Sequence, residues 1–512
     1  MAEETKSFLY KVKPISDRLP AVKRPEGHVH FRTKMLWVLV VIVVYFVMAN
    51  VSVYGLDQAK ALDLFAQYRT IMAGASGTLM QLGIGPIVTA SIIMQLFVGA
   101  KIIKLDLTNK EDKGCYQSVL KLLVIVMIIF EAVPQVFGYL VPSSSFEGAV
   151  GLGGARTLIV LQIALGSYIL FLMDEVVSKW GIGSGISLFI AAGVAQALFT
   201  GTLNWYPIDS SAAYSISNPP AGTIPKVIYI LATCTPAQLS SQGYEIMFLS
   251  QPNPVIALIG TLLIFLVVAY LESTRIELPL SHGNARGARG RYPIKLIYAS
   301  NIPVILMSAL LANISMFALL FYSNDLLSGI PLLGHNSYIG YFEESSTQAA
   351  GGLAWYLSAP SGITDWLVPI LNPSTSGNIH SPLMNLMRVV IYVSVMILGS
   401  VLFAKFWVET TNLGPRAVAS QIQKSGMQIP GFRRDPRVLE RVLERYIPAV
   451  TVMSGAIVGA LAAFADLVGT TGNASGTGVL LTVGILIHFY EAMGKEQMME
   501  MNPVLRGFFG GE

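Results

Sequence analysis

Charge is scarce in this 512-residue chain: Lys, Arg, Asp and Glu together make up 12% of it, against roughly 25% in an ordinary soluble protein. That shortage argues against a soluble enzyme of three or four domains and against disorder, which needs a polar chain. Cysteine is nearly absent, at two residues. Cys115 and Cys234 fall in loops that the topology below sets on opposite sides, so no oxidised framework is expected. Also missing are a GxxxxGK phosphate loop, HExxH, GxSxG and CxxC, and neither enzymatic activity nor a cofactor is expected. His28 and His30 form an HxH pair without further nearby ligands, which is too little for a metal site.

What the chain has is apolar sequence, 53% of it, with 47 glycines scattered through long runs rather than gathered in linkers. A membrane crossing takes roughly 20 apolar residues. Candidate spans are 35–54, 82–98, 118–141, 157–173, 184–203, 254–271, 296–322, 386–404, 447–465 and 477–490. Ten crossings put both ends on one side, and eight Lys or Arg between Lys6 and Lys34 make that side the cytoplasm. The polar lead shows no small-residue cleavage site, so the first span is expected to be retained. Alternating sides from there leaves 28 Lys and Arg in the cytoplasm and four outside, Lys60, Arg69, Arg156 and Lys226. Lys121 and Arg388 lie at span ends, where long side chains can snorkel.

The stretch from Leu62 to Gly85 is partly apolar but carries Arg69 and is rich in Gly, Ala and Ser. Reading it as a full crossing would invert every later loop. It is therefore expected to be re-entrant or a short helix, shielded by protein or lining an aqueous cavity. The outside segments 204–253 and 323–385 are expected to be folded caps or flexible decoration; the second holds Asp325, Glu343, Glu344 and Asp365 without one Lys or Arg.

Glu131, fourteenth of the 24 residues in span 3, is the only ionisable residue read as deep in a span. A proton relay normally wants more, and a carboxyl satisfied by a neighbouring hydroxyl or amide is the plainer account. Pro86 and Pro303 each mark a helix start, a kink or a hinge. GIGSG at 181–185 reads as a tight turn with a close helix contact. Ile84 with Val88, and Ile186 with Ile190, are spaced i and i+4 and share helix faces; alone, that is ordinary packing. The cytoplasmic stretch 278–295 holds Arg286, Arg289, Arg291 and Lys295 and no acid, and 405–446 holds GFRRDPR around Arg433 and Arg434. Glycine-punctuated arginines suit loops that dock on phosphate, although orientation alone also accounts for the charge.

Six blocks carry a more specific signal: LGIGPIVTASIIMQLFVGAKII (82–103), VSKWGIGSGISLFIAAGVAQ (177–196), RYPIKLIYASNIPVIL (291–306), FWVETT (406–411), RYIPAVTVMSG (445–455) and GTGVLLTVGI (476–485). Together they resemble the pore subunit of the Sec protein-conducting channel, the SecY family, in its archaeal form. The resemblance runs from about Lys34 to Glu491, and the long outside loops depart from it.

The resemblance implies an all-α polytopic membrane protein of ten transmembrane helices in two inverted five-helix halves, with a short re-entrant plug helix. The implied parts are a cytoplasmic segment 1–34, an N-terminal half 35–203, an external loop and hinge 204–253, a C-terminal half 254–490 and a cytoplasmic tail 491–512. It implies a pore ring of Ile84, Val88, Ile186, Ile190, Ile305 and Leu481, whose aliphatic side chains offer a passing chain no hydrogen bond and resist wetting. It implies a plug at about 66–76, including Ala66, Arg69, Gly74 and Ser76. A lateral gate would carry a polar cluster of Thr89, Glu131 and Asn313. Arg286, Arg289, Arg291, Arg433 and Arg434 would dock a ribosome or motor.

Implied partners are small SecE-type and Sec-beta-type membrane subunits, the ribosome, signal sequences and nascent polypeptides, and membrane lipid. The implied location is the plasma membrane, with both termini cytoplasmic. Two other readings remain: a secondary transporter with inverted repeats, and an insertion scaffold without a conducting pore.

Overall fold

The computed structural model describes residues 10, 14, 18–27, 29–57, 71–99, 102–103, 105, 109–138, 140–209, 212–282, 289–299, 301–323, 336, 338–342, 349–371, 380–411, 413–424, 427–428 and 436–501. Ten principal helices run in chain order: α1 (Phe31–Asn50), α2 (Gly85–Gly99), α3 (Lys110–Gly138), α4 (Leu152–Trp180), α5 (Gly185–Leu203), α6 (Val255–Ser273), α7 (Ile302–Ser323), α8 (Pro382–Thr410), α9 (Pro436–Val468) and α10 (Gly476–Met501). Among the described residues nine are long and apolar enough to cross a membrane, and α2, with 15 residues, is a shorter apolar helix. Every expected span has its helix.

Pro86 and Pro303 prove to be helix starts, each at the second residue of its helix, where the missing N–H costs no hydrogen bond. The GIGSG turn behaves as its glycines require. Gly183 takes φ +80°, and a Cβ on Gly185 would lie 2.6 Å from Asp174 Cα, so α5 starts hard against α4. The Asp174 carboxylate accepts from Ile186 N at 3.0 Å and holds that start in place.

The helices pack as two sets. In the first, α1 lies on α4 and α5, α2 on α3, and α4 on α3 and α5; in the second, α8 lies on α7 and α9, and α10 on α6 and α9. Along one side the sets meet where α2 touches α7 and α8 and α3 touches α7; along the other, α5 packs on α10.

Several expectations need correction. Between α6 and α7, β1 (Arg275–His282) and β2 (Arg289–Lys295) form an antiparallel hairpin, and a short strand β3 (Met427–Gln428) pairs with β1. Cys115 lies buried inside α3 rather than in a loop. Lys121 does not snorkel but reaches Glu175 at 2.5 Å. Arg388 is buried. It donates to Asp365 Oδ2 at 3.3 Å and Ser358 Oγ at 3.0 Å, and its guanidinium lies 5.0 Å from the centre of the Trp355 ring. That contact ties part of the second outside segment, with helices Gly352–Leu357 and Ile363–Leu371, onto α8 as a folded cap. The first outside segment is likewise folded, around a helix Thr223–Thr233.

Ahead of α1, Val22 N donates to Glu175 Oε2 at 2.9 Å and Lys179 donates to Val22 O at 2.6 Å, so the N-terminal segment is fastened to α4.

Candidate functional site: a central constriction and the seam beside it

Ile84 immediately precedes α2, Val88 is in its first turn, Ile186 and Ile190 lie on α5, Ile305 on α7 and Leu481 on α10. Four separate segments thus bring six aliphatic residues together. Ile84, Val88, Ile190, Ile305 and Leu481 are buried members of one core cluster, and Ile186 packs against it.

Polar groups set its geometry from outside. Asp466, near the end of α9, accepts from Thr477 N at 3.0 Å, from the Thr477 hydroxyl at 2.7 Å and from the Tyr392 hydroxyl at 2.7 Å. It therefore caps α10 one turn before Leu481. Asn301 precedes α7, and its Nδ2 donates to Glu272 Oε1 at 3.2 Å. Gly484 of α10 presses on this pair: a Cβ there would lie 1.7 Å from Asn301 Nδ2.

The described part of the expected plug, 71–76, forms turns, with Ile71, Met72 and Ala73 buried; Ala66 and Arg69 lie outside the described residues. Ile84 N donates to Met72 O at 2.7 Å, so this segment bonds directly to a member of that cluster. Gly83 makes that approach possible, because a Cβ on it would lie 2.0 Å from Met72 O. Gly74 and Ser76 sit where the chain turns back to pair with the end of α1: Val53 N donates to Gly77 O at 2.9 Å and Leu79 N to Val51 O at 3.0 Å.

Along the seam the Thr89 hydroxyl of α2 lies 2.8 Å from Glu131 Oε1 of α3 and 2.9 Å from Gly85 O, and it accepts from Asn313 Nδ2 of α7 at 3.0 Å. Glu131 is buried and satisfied by a hydroxyl, as its plainer account requires. A cavity of about 10 Å³ beside it is lined by Met72, Gly74, Gln81, Leu82, Glu131, Gln135 and Asn313, so turn segment and seam share one lining. Phe130 and Phe317 face each other across the seam with ring centres 5.8 Å apart.

Glu131 is not the only buried acid in the helices: Glu272 and Asp466 are buried too. Both lie just beyond the apolar runs at 254–271 and 447–465, because the helices outlast those runs. The signal that finds them is a lone acid at the edge of an apolar run.

Between α6 and α7, Arg289 and Arg291 lie on β2, opposite Ser281 and Pro279; Arg286, Arg433 and Arg434 lie outside the described residues. The two basic loops meet all the same, through the pairing of Ser281 with Gln428 and His282 with Met427.

Fold and site together define a multi-pass helical membrane protein with a buried apolar cluster drawn from both helix sets. The SecY family model matches residues 78–490, and a second model, the plug domain of Sec61p, matches 43–77. Relatives described as protein translocase subunit SecY include one from Archaeoglobus fulgidus, 45% identical over 99% of both chains, and one from Haloferax volcanii, 46% identical over 98% of this chain and 99% of its own. Among solved structures, a protein conducting channel superposes with a TM-score of 0.76 at 40% identity, covering 96% of this chain and 98% of that one. Sec61 in a canine ribosome-channel complex from the endoplasmic reticulum gives 0.73 at 38%, with the same coverage. The chain belongs to the SecY family.

Proposed function

We propose that this chain is the pore subunit of a protein-conducting channel, which moves secretory polypeptides across a membrane and releases hydrophobic helices sideways into lipid. The observation that supports the reading is the shared burial of aliphatic side chains from four segments in one apolar cluster, with a turn segment hydrogen-bonded to Ile84. An apolar ring of this kind blocks ions by excluding water and gives a passing chain nothing to hold. Ile84, Val88, Ile186, Ile190, Ile305 and Leu481 are the ring in this reading, and the segment ending at Gly74 and Ser76 is the plug.

The seam between α2–α3 and α7–α8 is the lateral gate, latched by Thr89, Glu131 and Asn313. Residues 35–203 and 254–490 are the two halves, and 204–253 is the connection on which they hinge. The α5–α10 contact opposite the seam supports that division.

The basic hairpin and the loop carrying Arg433 and Arg434 form one docking platform for a ribosome or motor, with Arg286, Arg289 and Arg291 on the hairpin side. Their pairing through β1 and β3 supports a single surface. The chain supplies no nucleotide-binding loop, so force comes from the docked partner. Small subunits of the SecE and Sec-beta types complete the complex, and the chain sits in the plasma membrane with both termini in the cytoplasm, as its excess of Lys and Arg on that side favours. A secondary transporter is not favoured.

Crosslinking a stalled secretory chain to position 186 tests the channel. Contact at Ile186 supports it; contact only with lipid-facing positions sinks it. Replacing Ile84, Val88, Ile186 and Ile190 together with glycine is expected to raise resting ion conductance in planar bilayers.

A further inference from the structure

The segment joining α5 to α6 carries a helix whose free face has no part in the channel reading. Helix Thr223–Thr233 turns Thr223, Pro225, Lys226 and Ile230 into the protein. On its other side Ile224, Ile228 and Leu231 are 40%, 50% and 57% exposed. Spaced i, i+4 and i+7, these three share one face.

The helix's single cation lies on the opposite side. Lys226 is fully buried, and its ammonium donates to Ser250 O at 3.2 Å and to Pro252 O. Burial pushes the ammonium down to about 8. A lysine free to reach water would normally extend into it; here the exposed face is left without charge. Nearby in sequence, Trp205, Tyr206, Tyr214 and Tyr244 are exposed, as are Phe248 and Leu249. Trp and Tyr concentrate at the membrane–water boundary. The helix packs on α5, whose last two turns expose Phe199 and Leu203, and on the short helix Tyr244–Phe248, which leads to α6 and its exposed Ile259 and Leu262. The helix therefore packs directly on one helix that crosses the membrane and, through Tyr244–Phe248, connects to a second.

From the uncharged exposed stripe, the exposed Trp and Tyr side chains of the same segment and the packing on α5, we propose that helix Thr223–Thr233 lies in the membrane–water interface with Ile224, Ile228 and Leu231 in lipid, anchoring to the bilayer the connection between the two helix sets. The arrangement is that of an interfacial amphipathic helix. The anchor is tied to the rest of the protein. Thr223 Oγ1 donates to Asn253 O at 3.2 Å, Asn253 Nδ2 donates to Ala221 O at 2.8 Å, and Asn253 Oδ1 accepts from Gly472 N at 2.6 Å. Gly472 lies in the turn between α9 and α10, so the anchor restrains both that turn and the connection.

The test uses the full chain with Cys234→Ser, leaving the buried Cys115 in place, and a single added cysteine at Ile228→Cys, at Leu231→Cys or, as the aqueous control, at Ser217→Cys. Each is labelled with bimane and reconstituted in phosphatidylcholine vesicles with or without brominated acyl chains, with iodide on both sides as the aqueous quencher. The expected result is several-fold stronger quenching by brominated lipid than by iodide at 228 and 231, and the reverse at 217. Stronger quenching by iodide at 228 and 231 means a solvent-facing helix and overturns the proposal. So does protection from both quenchers, which means that protein covers the face.

Discussion

Thr89→Val probes the latch at its shared atom. Valine keeps the shape of threonine, so packing between α2 and its neighbours is preserved while the hydroxyl is lost. The bond from Asn313 Nδ2 is the one in the Thr89 cluster that crosses the seam, since Thr89 and Glu131 belong to the same helix set. A neutral hydrogen bond of this kind contributes about 0.5–1.5 kcal/mol. Its loss falls mainly on the closed state, because once the seam parts, water or an incoming chain can satisfy Asn313 and Glu131. The closed state is then destabilised by that amount relative to the open one.

A signal sequence offsets the cost of opening at about 0.3–0.6 kcal/mol per apolar residue, so the variant is expected to accept signals shorter by roughly one to five apolar residues. The assay is translocation of a reporter behind signals carrying a graded number of leucines, with the half-maximal signal as readout. An unchanged or raised threshold in a folded Thr89→Val channel would refute the latch. The companion Asn313→Leu variant removes the same bond but adds apolar surface, so comparing the two separates hydrogen bonding from lipophilicity.

Gly484→Ala forces a Cβ against Asn301 Nδ2 and Glu272 Oε1; overpacking of that kind costs about 1–3 kcal/mol, and a lowered thermal unfolding midpoint in detergent is expected. Burial lowers the Lys226 ammonium from 10.5 to about 8. Between about pH 8 and 10.5 the folded chain thus binds fewer protons than the unfolded one, and stability rises with pH across that window. Below it the burial cost is fully present. Thermal unfolding at pH 7 and pH 10 should show this rise in the parent and a smaller one in Lys226→Met. Glutamate at Arg286 and Arg433 is expected to weaken ribosome binding most at low salt, where phosphate contacts are least screened. Co-sedimentation across a salt series measures it, and equal binding throughout would return those arginines to a purely topological role.

The ten helices were legible because crossing a membrane imposes a length and an apolarity that composition cannot hide, and Pro86 and Pro303 marked two of their starts. The proposed ring residues come only from the resemblance: Ile84, Ile186, Ile305 and Leu481 are far apart in the chain, and an isoleucine on an apolar helix looks the same whether it meets lipid or other helices of the protein. Glu131 could be picked out as a buried acid, but its bond to Thr89, and that of Thr89 to Asn313, exist only because α2, α3 and α7 meet along one seam.

Glu272 and Asp466 were passed over because a hydropathy run stops where the first charge appears, whereas a helix continues as long as its backbone bonds do. The fates of Arg388 and Lys226 were equally closed to sequence reasoning. A long cationic side chain at the end of a span or in a connecting segment normally reaches for water, and only the folded structure, with Asp365 and Ser358 for one and the carbonyls of Ser250 and Pro252 for the other, holds these two inside. Sequence determined the membrane class, the number of helices and the excess of cations in the loops assigned to the cytoplasm. Tertiary structure decided which apolar faces meet each other instead of lipid, because that choice depends on close approach at glycines such as Gly185 and Gly484, where a single Cβ would keep the helices apart.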